Sequence, residues 1–347
     1  MNRPIHVGIA GFGMSARIFH APFLHLDPRF RLIKVFERST NNGQSHYPYL
    51  QTVRHFEDLF TPDIELIIIT TPNLTHFSLA KQALLAGKHV IVEKPLAISA
   101  EQALELDQLA KKQKLMLSVY QNRRWDNGAL TVKRLIEEKL LGGIVNYEIR
   151  FERYSKTKNA KAWKETGEFG SGLVFDLGVH LIDHVVDLFG KPTALYADLA
   201  KQHADSGSED YFQIHFYYPT HKVTMGATKY AREAAPHIML QGTLGSYFKQ
   251  AVDNQEALLV AGILPQGDWH APTEQDFGLL HTEQNNRIIR RAFQGESGCY
   301  QAYYDNIHDV LRNDASPIVT ATQAAEVLKL IERVYQSAKC GQKLSCF

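Results

Sequence analysis

The feature that most constrains this chain is the alternation of short apolar runs with helical segments in its N-terminal third. The apolar runs are β-branched-rich and are short enough to be buried strands, while the segments between them have helical spacing. Such alternation predicts an α/β fold with a parallel, doubly wound sheet. The predicted strands are residues 5–10, 31–36, 66–70, 90–92 and 115–119, and the predicted helices are residues 16–26, 75–86 and 100–113.

The remainder of the chain has a different pattern, with strands that follow one another and alternate between apolar and polar residues. This pattern predicts a largely antiparallel open sheet with one free face, which a second copy would cover in a homodimer or homotetramer. We therefore predict two domains, over residues 1–121 and 122–347. Residues 255–298 are expected to form long surface loops. The other predicted strands are residues 144–153, 194–200, 211–217, 223–229 and 237–241, and the other predicted helices are residues 129–139 and 321–338.

The composition restricts the class of protein and its partners. The 347 residues are 44% apolar and 22% charged, as in a globular protein. Lys and Arg number 38 against 37 Asp and Glu, so the balance favours neither nucleic acid nor an anionic membrane as a partner. Three cysteines without CxxC spacing, no signal-like N-terminus and no apolar run of ~18 residues predict a soluble cytoplasmic protein.

A glycine-rich turn follows the first predicted strand. Gly11-x-Gly13-x-x-Ala16 has the spacing of a dinucleotide fingerprint, with Met14 and Ser15 inside the turn. The first glycine permits the tight turn, the second lets backbone amides approach a pyrophosphate, and the third small residue lets helix and strand pack closely. Because the motif leaves a strand and opens a helix, it predicts binding of NAD or NADP.

The pair Glu37-Arg38 ends the second predicted strand, where the adenosine ribose of a dinucleotide would lie. An acid there accepts hydrogen bonds from a ribose 2′-hydroxyl, which favours NAD. An arginine there pairs with a 2′-phosphate, which favours NADP. The sequence offers both side chains, and solvated loop charges are the third interpretation, so the preference between the cofactors stays open.

Two further motifs lie at predicted strand exits, where open α/β sheets bind ligands. In the first, Thr71-Pro72-Asn73-x-x-His76, Asn73 is either a helix N-cap or a contact to the nicotinamide ribose, and His76 could equally be a surface residue. In the second, Glu93-Lys94-Pro95, a charged donor leaves the strand over residues 90–92 and points to the cofactor cleft.

Asp176 and His180 lie four residues apart on a predicted helix that ends near Gly190. They share one helix face, and a carboxylate beside an imidazole orients the ring for proton transfer. A solvated face is the plainer interpretation for Asp176. His180 and His184 also have HxxxH spacing, but the helix lacks the glutamate of zinc-protease helices, and we predict no metal.

The ordered motifs resemble one known family, and the resemblance runs essentially from end to end. The chain is similar to the glucose–fructose oxidoreductase/inositol dehydrogenase family (Gfo/Idh/MocA), and in particular to a bacterial subgroup that includes scyllo-inositol dehydrogenases. The motifs that carry the family resemblance are Gly11-x-Gly13-x-x-Ala16, Thr71-Pro72-Asn73-x-x-His76, Glu93-Lys94-Pro95, Asn122-Arg123-Arg124 and Asp176-x-Gly178-x-His180. The likeness to the bacterial subgroup is carried by Phe19-His20-Ala21-Pro22-Phe23 and Tyr120-Gln121-Asn122-Arg123-Arg124-Trp125-Asp126. The resemblance implies a Rossmann domain that binds NAD or NADP, followed by a domain for substrate binding and oligomerisation.

The resemblance also implies that Lys94, Asp176 and His180 lie at the reacting carbon of a sugar or cyclic polyol. In the oxidation direction His180 would be the general base, oriented by Asp176, and Lys94 would hold the reacting hydroxyl. Arg123, Tyr154 and Trp163 are weaker candidates for the substrate pocket, and ordinary packing roles compete for all three. The alternatives are a catalytically silent regulator that binds NAD(P) and a sugar or protein, and a reductase of an aldehyde, imine or linear tetrapyrrole.

Overall fold

A computed structural model describes residues 3–156, 167, 169–204 and 206–346. These residues divide into two compact units. The first comprises the residues up to Asn122 together with Asn254–His270 and Tyr300–Glu326, and the second comprises Arg123–Asp253, Ala271–Cys299 and the residues from Val327 onward. The sequence predicts a single boundary between residues 121 and 122, whereas each unit is assembled from three segments.

The first unit contains a parallel sheet, as the βα alternation predicts, with six strands instead of the five that the sequence predicts, because the short β3 adds one edge. Its strand order is β3-β2-β1-β4-β5-β6, so the chain leaves β1 toward one edge and later returns to pair β4 beside β1. This reversal creates the crevice at which doubly wound sheets bind ligands. The strands are β1 (Ile5–Ala10), β2 (Phe30–Phe36), β3 (Gln51–Val53), β4 (Leu66–Ile69), β5 (His89–Glu93) and β6 (Leu117–Tyr120).

The helices of this unit begin and end with recognisable signals. A π-helical turn over Ala16–His20 leads directly into α1 (Ala21–Leu26), and the short α2 (Asn42–His46) follows β2. The next two helices are α3 (Asn73–Leu85) and α4 (Ala100–Gln113). The Ser99 hydroxyl accepts a hydrogen bond from the Gln102 amide (3.3 Å), which caps α4 as its sequence predicts.

The second unit contains a nine-stranded sheet in the order β14-β13-β12-β11-β7-β10-β9-β8-β15. Adjacent strands are antiparallel except for β7 and β10, which run parallel. One face is packed, and along β9 the residues alternate between buried and half-buried. The strands are β7 (Ile144–Glu152), β8 (Ala194–Ala200), β9 (Tyr211–Tyr217), β10 (Lys222–Thr228), β11 (Ile238–Gly242), β12 (Gly245–Lys249), β13 (Gly278–Gln284), β14 (Arg287–Phe293) and β15 (Leu344–Ser345).

The remaining helices are α5 (Asn127–Glu137), α6 (Val179–Phe189), α7 (Gln255–Val260), α8 (Gln301–Arg312) and α9 (Ala321–Cys340), and a π-helical turn over Val174–Gly178 precedes α6. The prediction of long loops over residues 255–298 is wrong, because this stretch contains α7, β13 and β14. In the described ranges, no helix combines the length and the apolar composition that crossing a membrane requires.

Candidate functional site

The glycine-rich turn leaves β1 with the geometry that a dinucleotide requires. Gly11 has a φ of +86°, and a Cβ there would lie 3.2 Å from the Thr71 Cγ2. Gly13 borders open space, since a Cβ built on it would meet no atom within 4 Å. Ala16 is fully buried where the following helical turn packs. A pyrophosphate therefore fits over Gly13, next to the backbone amides that begin the helix.

Glu93, at the end of β5, ties this turn to the Lys94 backbone. Its carboxylate accepts hydrogen bonds from the Ser15 hydroxyl and from the Lys94 amide (3.1 Å), and it lies 3.0 Å from the His20 Nε2. Burial alone would raise the pKa of Glu93, but the bonds from His20 and Ser15 and the charge of Lys94 lower it. Glu93 is therefore ionised, and its carboxylate links the glycine-rich turn to the exit of β5.

His20 is a further partner of the Glu93 carboxylate, and no role was predicted for it from the sequence. The His20 Nδ1 lies 2.7 Å from the Tyr304 hydroxyl, and the ring is fully buried. His20 lies in the segment Phe19-His20-Ala21-Pro22-Phe23, whose resemblance to the bacterial subgroup assigns no role to the histidine. Met14, unlike the buried His20, is 39% exposed and lies on the outside of the glycine-rich turn.

The motif that follows β4 lies beside the glycine turn. The Thr70 hydroxyl donates to the Gly11 carbonyl (2.8 Å), while the His76 ring nitrogens lie 2.7 Å from the carbonyl oxygens of Thr71 and Pro95. His76 is fully buried, and burial lowers its pKa, so the neutral ring donates to one of these carbonyls. The surface interpretation of His76 is wrong, because the ring joins the exits of β4 and β5.

The interpretation of Asn73 as the N-cap of α3 is wrong. Helix α3 begins at Asn73, and Pro72 occupies the N-cap position. Asn73 is mostly buried, at 9% exposure, in the first turn of the helix at the exit of β4. The structure therefore brings Gly11, Thr71, Asn73, Glu93 and Lys94 to one edge of the sheet.

Glu37 and Arg38 point to different environments. The Glu37 carboxylate is 5% exposed and accepts hydrogen bonds from the Thr40 hydroxyl (2.6 Å) and from the amides of Asn42 (3.1 Å) and Gly43 (2.9 Å). It therefore satisfies the N-terminus of α2. Arg38 is exposed.

Arg54 holds the same loop from outside, a contact that no local sequence pattern predicts. Its guanidinium donates to the carbonyl oxygens of Glu37 (2.7 Å) and Thr40 (2.6 Å) and to the Asn41 side chain (2.5 Å). The loop that presents Arg38 is thus fixed by Glu37 on one side and by Arg54 on the other.

In the second unit, Asp176 and His180 lie where a π-helical turn passes into α6. Asp176 is part of the π-helical turn and is half-buried, whereas His180 is buried near the start of α6. The Asp176 amide donates to the Gly172 carbonyl (3.1 Å). A π-helical turn inside a helix often marks a functional position, because it redirects the side chains it carries.

The other polar residues of α6 are structural. Arg124 pairs with Asp183 through Nε–Oδ2 (2.7 Å) and Nη2–Oδ1 (2.8 Å), and its Nη1 reaches Asp187 (2.9 Å). Burial alone would lower the pKa of Arg124, but the carboxylates of Asp183 and Asp187 raise it, so the guanidinium stays charged. The buried, bidentate pair of Arg124 with Asp183 holds α6 in place, whereas Asp187 is exposed on the helix surface.

His184 also belongs to the packed interior. Its Nε2 lies 2.8 Å from the Tyr147 hydroxyl on β7, and burial lowers the pKa of the ring to about 3. One nitrogen of the HxxxH pair is therefore already engaged. Among the residues that the structure describes, no group of three or more His, Cys, Asp and Glu side chains is arranged to hold a metal ion.

The three weaker substrate candidates are placed differently. The Arg123 guanidinium lies 4.8 Å from the centre of the Phe151 ring and 3.3 Å from the Asp126 carboxylate. Tyr154 is 37% exposed, and the Arg232 guanidinium lies 3.8 Å from its ring. Trp163 lies outside the described residues.

Comparisons with known proteins cover the whole length of the chain. Residues 5–121 match the oxidoreductase family described as an NAD-binding Rossmann fold, and residues 133–345 match its C-terminal alpha/beta domain. The chain is 38% identical to the uncharacterized oxidoreductase YdgJ of Escherichia coli (strain K12), over 98% of each chain. It is 33% identical to the scyllo-inositol 2-dehydrogenase (NADP(+)) IolW of Bacillus subtilis (strain 168), over 96% of this chain and 94% of that protein.

Solved structures agree with these matches. A crystal structure from Bacteroides fragilis NCTC 9343 is 42% identical and has a TM-score of 0.91, covering 99% of this chain and 100% of that chain. An oxidoreductase from Bacillus cereus is 27% identical with a TM-score of 0.90, over 98% of both chains. Because both family models match, this chain belongs to the Gfo/Idh/MocA family of oxidoreductases and has that family's NAD-binding Rossmann domain.

Proposed function

We propose that the protein transfers a hydride between the nicotinamide of NAD(P) and a carbinol carbon of a sugar or inositol-like cyclic polyol. The observation that carries this proposal is the nearly full-length similarity to a scyllo-inositol 2-dehydrogenase. Two placements support it. Lys94 directly follows β5 beside the glycine-rich turn, and Asp176 and His180 lie where the π-helical turn passes into α6.

The protein's share of this reaction is to move a proton and stabilise charge. A bound nicotinamide supplies the hydride chemistry. In the oxidation direction His180 takes up the hydroxyl proton, and Asp176 orients the imidazole. Lys94 donates a hydrogen bond to the oxygen on which negative charge develops. Arg123 and Tyr154 are proposed to contact the hydroxyl-rich substrate, as is Trp163.

A substrate panel tests the proposal. Purified protein is incubated with NAD or NADP and, separately, with cyclic polyols, aldoses, imines and a linear tetrapyrrole, while the absorbance of reduced nicotinamide is followed. We expect turnover with at least one cyclic polyol or aldose. Turnover with only an imine or tetrapyrrole would favour the reductase alternative. Binding of cofactor and sugar without any turnover would favour the regulator.

We further propose that the enzyme prefers NADP. Glu37 is occupied by the N-terminus of α2, whereas the loop leaves Arg38 exposed at the exit of β2. A guanidinium pairs well with the 2′-phosphate that distinguishes NADP from NAD. The relative from Bacillus subtilis is itself named as using NADP(+).

Replacing Arg38 tests this preference. Arg38→Ala should raise the Kd for NADP about tenfold, because a charge-assisted hydrogen bond contributes about 1.5 kcal/mol or more. The Kd for NAD should change less than about twofold. Arg31→Ala is the matched control, since Arg31 is also exposed and lies at the opposite end of β2. Equal effects of Arg38→Ala on both cofactors would contradict the preference.

The quaternary structure is a third proposal, which the open sheet supports. The outward residues of β9 are half-buried and aromatic or polar, and β7 presents an alternating row of Glu148, Arg150 and Glu152. A broad face of this kind suits a self-complementary contact with a second copy. We therefore propose a homodimer or homotetramer that uses this face.

A further inference from the structure

The segment directly before Asp176 is held by a residue that neither the motifs nor the proposed mechanism uses. Gly172 has a φ of +89°, and a Cβ added there would overlap the Glu209 carboxylate. The carboxylate is thus packed against the Gly172 backbone, in a space that only glycine leaves open.

Glu209 also makes hydrogen bonds along this segment. Its Oε1 accepts from the Val174 amide (3.2 Å), and its carbonyl oxygen accepts from the Leu173 amide (2.9 Å). Val174 begins the π-helical turn that carries Asp176. Two successive amides before Asp176 are therefore satisfied by one residue, which matters because helix N-termini leave such amides without intrahelical acceptors.

Tyr335, on α9, fixes Glu209 in turn. Its hydroxyl donates to the same Oε1 at 2.7 Å, and its ring stacks on Phe175 with centroids 5.9 Å apart and an interplanar angle of 26°. Burial raises the pKa of both Glu209 and Tyr335, so the phenol remains protonated as a donor. Phe175 is the residue immediately before Asp176, so this contact reaches the segment from a second side.

We propose that Glu209 is a positioning residue, which with Tyr335 holds the turn from Gly172 to Val174 and thereby places Asp176 for its work on His180. The Asp176 amide bonds to the Gly172 carbonyl, so a shift of the turn moves Asp176 directly. The expected effect of Glu209 on catalysis rests on the proposed function of Asp176 and His180. The proposal that Glu209 holds the turn from Gly172 to Val174 does not.

Three variants distinguish the loss of a hydrogen bond from the loss of side-chain volume. Glu209→Ala removes the acceptor, Glu209→Gln keeps an amide oxygen in place of Oε1, and Tyr335→Phe keeps the stacked ring but removes the donor. Asp276→Ala is the matched control. This carboxylate is also buried, and it accepts from the Thr273 amide (2.8 Å) and hydroxyl (2.9 Å), in a different part of the second unit.

Hydrogen exchange on the intact protein measures the holding of the turn. In Glu209→Ala the amides of residues 172–178 should exchange about tenfold faster, with a smaller increase in Tyr335→Phe and near-normal exchange in Glu209→Gln. Asp276→Ala should leave these amides unchanged. Unaltered exchange over residues 172–178 in Glu209→Ala would overturn the inference, whatever the substrate proves to be.

Kinetics with the best substrate of the panel measure the catalytic consequence. Glu209→Ala should lower kcat about 10- to 100-fold, because small misplacements of a catalytic group have effects of this size. The Kd for NADP should stay constant, and Glu209→Gln should restore kcat to within about threefold. Faster exchange with an unchanged kcat would overturn the positioning role. A wild-type protein without turnover would count against the proposed function, and the exchange result would still decide whether Glu209 holds the turn.

Discussion

Gly13→Val is expected to abolish the binding of both NAD and NADP while the protein still folds. The valine side chain would enter the open space over the turn, where a pyrophosphate must approach the backbone amides. Overpacking typically costs about 1–3 kcal/mol, and the upper end of this range corresponds to about 100-fold in Kd. Cofactor titration by fluorescence, together with the thermal midpoint of the apoprotein, measures the two effects separately.

The fold should survive because the added atoms have nothing to displace. No atom lies within 4 Å of a Cβ at Gly13, and substitutions at such surface positions change stability by only about 0.5 kcal/mol. Gly13→Ala should give an intermediate loss of affinity. Gly143→Val is the control, because Gly143 is also exposed and a Cβ there would come no closer than 3.8 Å to any atom. An unchanged Kd in Gly13→Val would contradict the location of the cofactor.

The central strands of the first sheet could be predicted from the sequence because they are buried on both faces, whereas the short edge strand β3 was not predicted. In β4 all four residues are buried, and a short, β-branched-rich apolar run of this kind is typical of a central strand. The β13–β14 hairpin gave no such signal. Ile288 is 76% exposed, and Arg287, Arg290 and Arg291 are exposed in the same strand, so apolar alternation is lost.

The cofactor site shows a second limit of sequence reasoning. The pair Glu37-Arg38 could be located at a strand exit, but the direction of each side chain depends on where the next helix begins. Helix α2 starts at Asn42, and its free amides draw the Glu37 carboxylate inward. Contacts over longer sequence separations, such as His20 with Tyr304, could not be predicted at all, because no local pattern encodes them.

The interior of α6 illustrates the same limit in the second unit. Asp183 and His184 follow Asp176 and His180 closely in the sequence, and spacing alone does not distinguish the four polar residues. Their partners, Arg124 and Tyr147, come from distant parts of the chain and make both residues structural. Only the tertiary contacts separate these buried polar residues from the candidate catalytic pair.

His180→Ala and Lys94→Ala are expected to lower kcat by ~10²-fold or more, the usual size of an acid–base contribution. The Kd for NADP should stay near the wild-type value in His180→Ala, since the proposed role of His180 is to take up the substrate proton and not to hold the cofactor. Added imidazole should restore part of the activity of His180→Ala, because a small base can replace the missing side chain in the space it leaves. It should not restore Lys94→Ala, which lacks a charge rather than a base.

The controls for these variants are His281→Ala and Lys112→Ala, which remove exposed side chains of the same two types. Both control variants should have a wild-type kcat, and this result would exclude a general effect of removing a lysine charge or a histidine ring. Asp176→Asn should reduce kcat less than His180→Ala does, because a carboxylate that only orients the base leaves the proton acceptor in place. Near-normal kcat in both His180→Ala and Lys94→Ala would remove the basis for the dehydrogenase mechanism. Such a result would favour a protein that binds NAD(P) and a sugar without transforming either, because binding requires neither a proton acceptor nor a charge at the reacting oxygen.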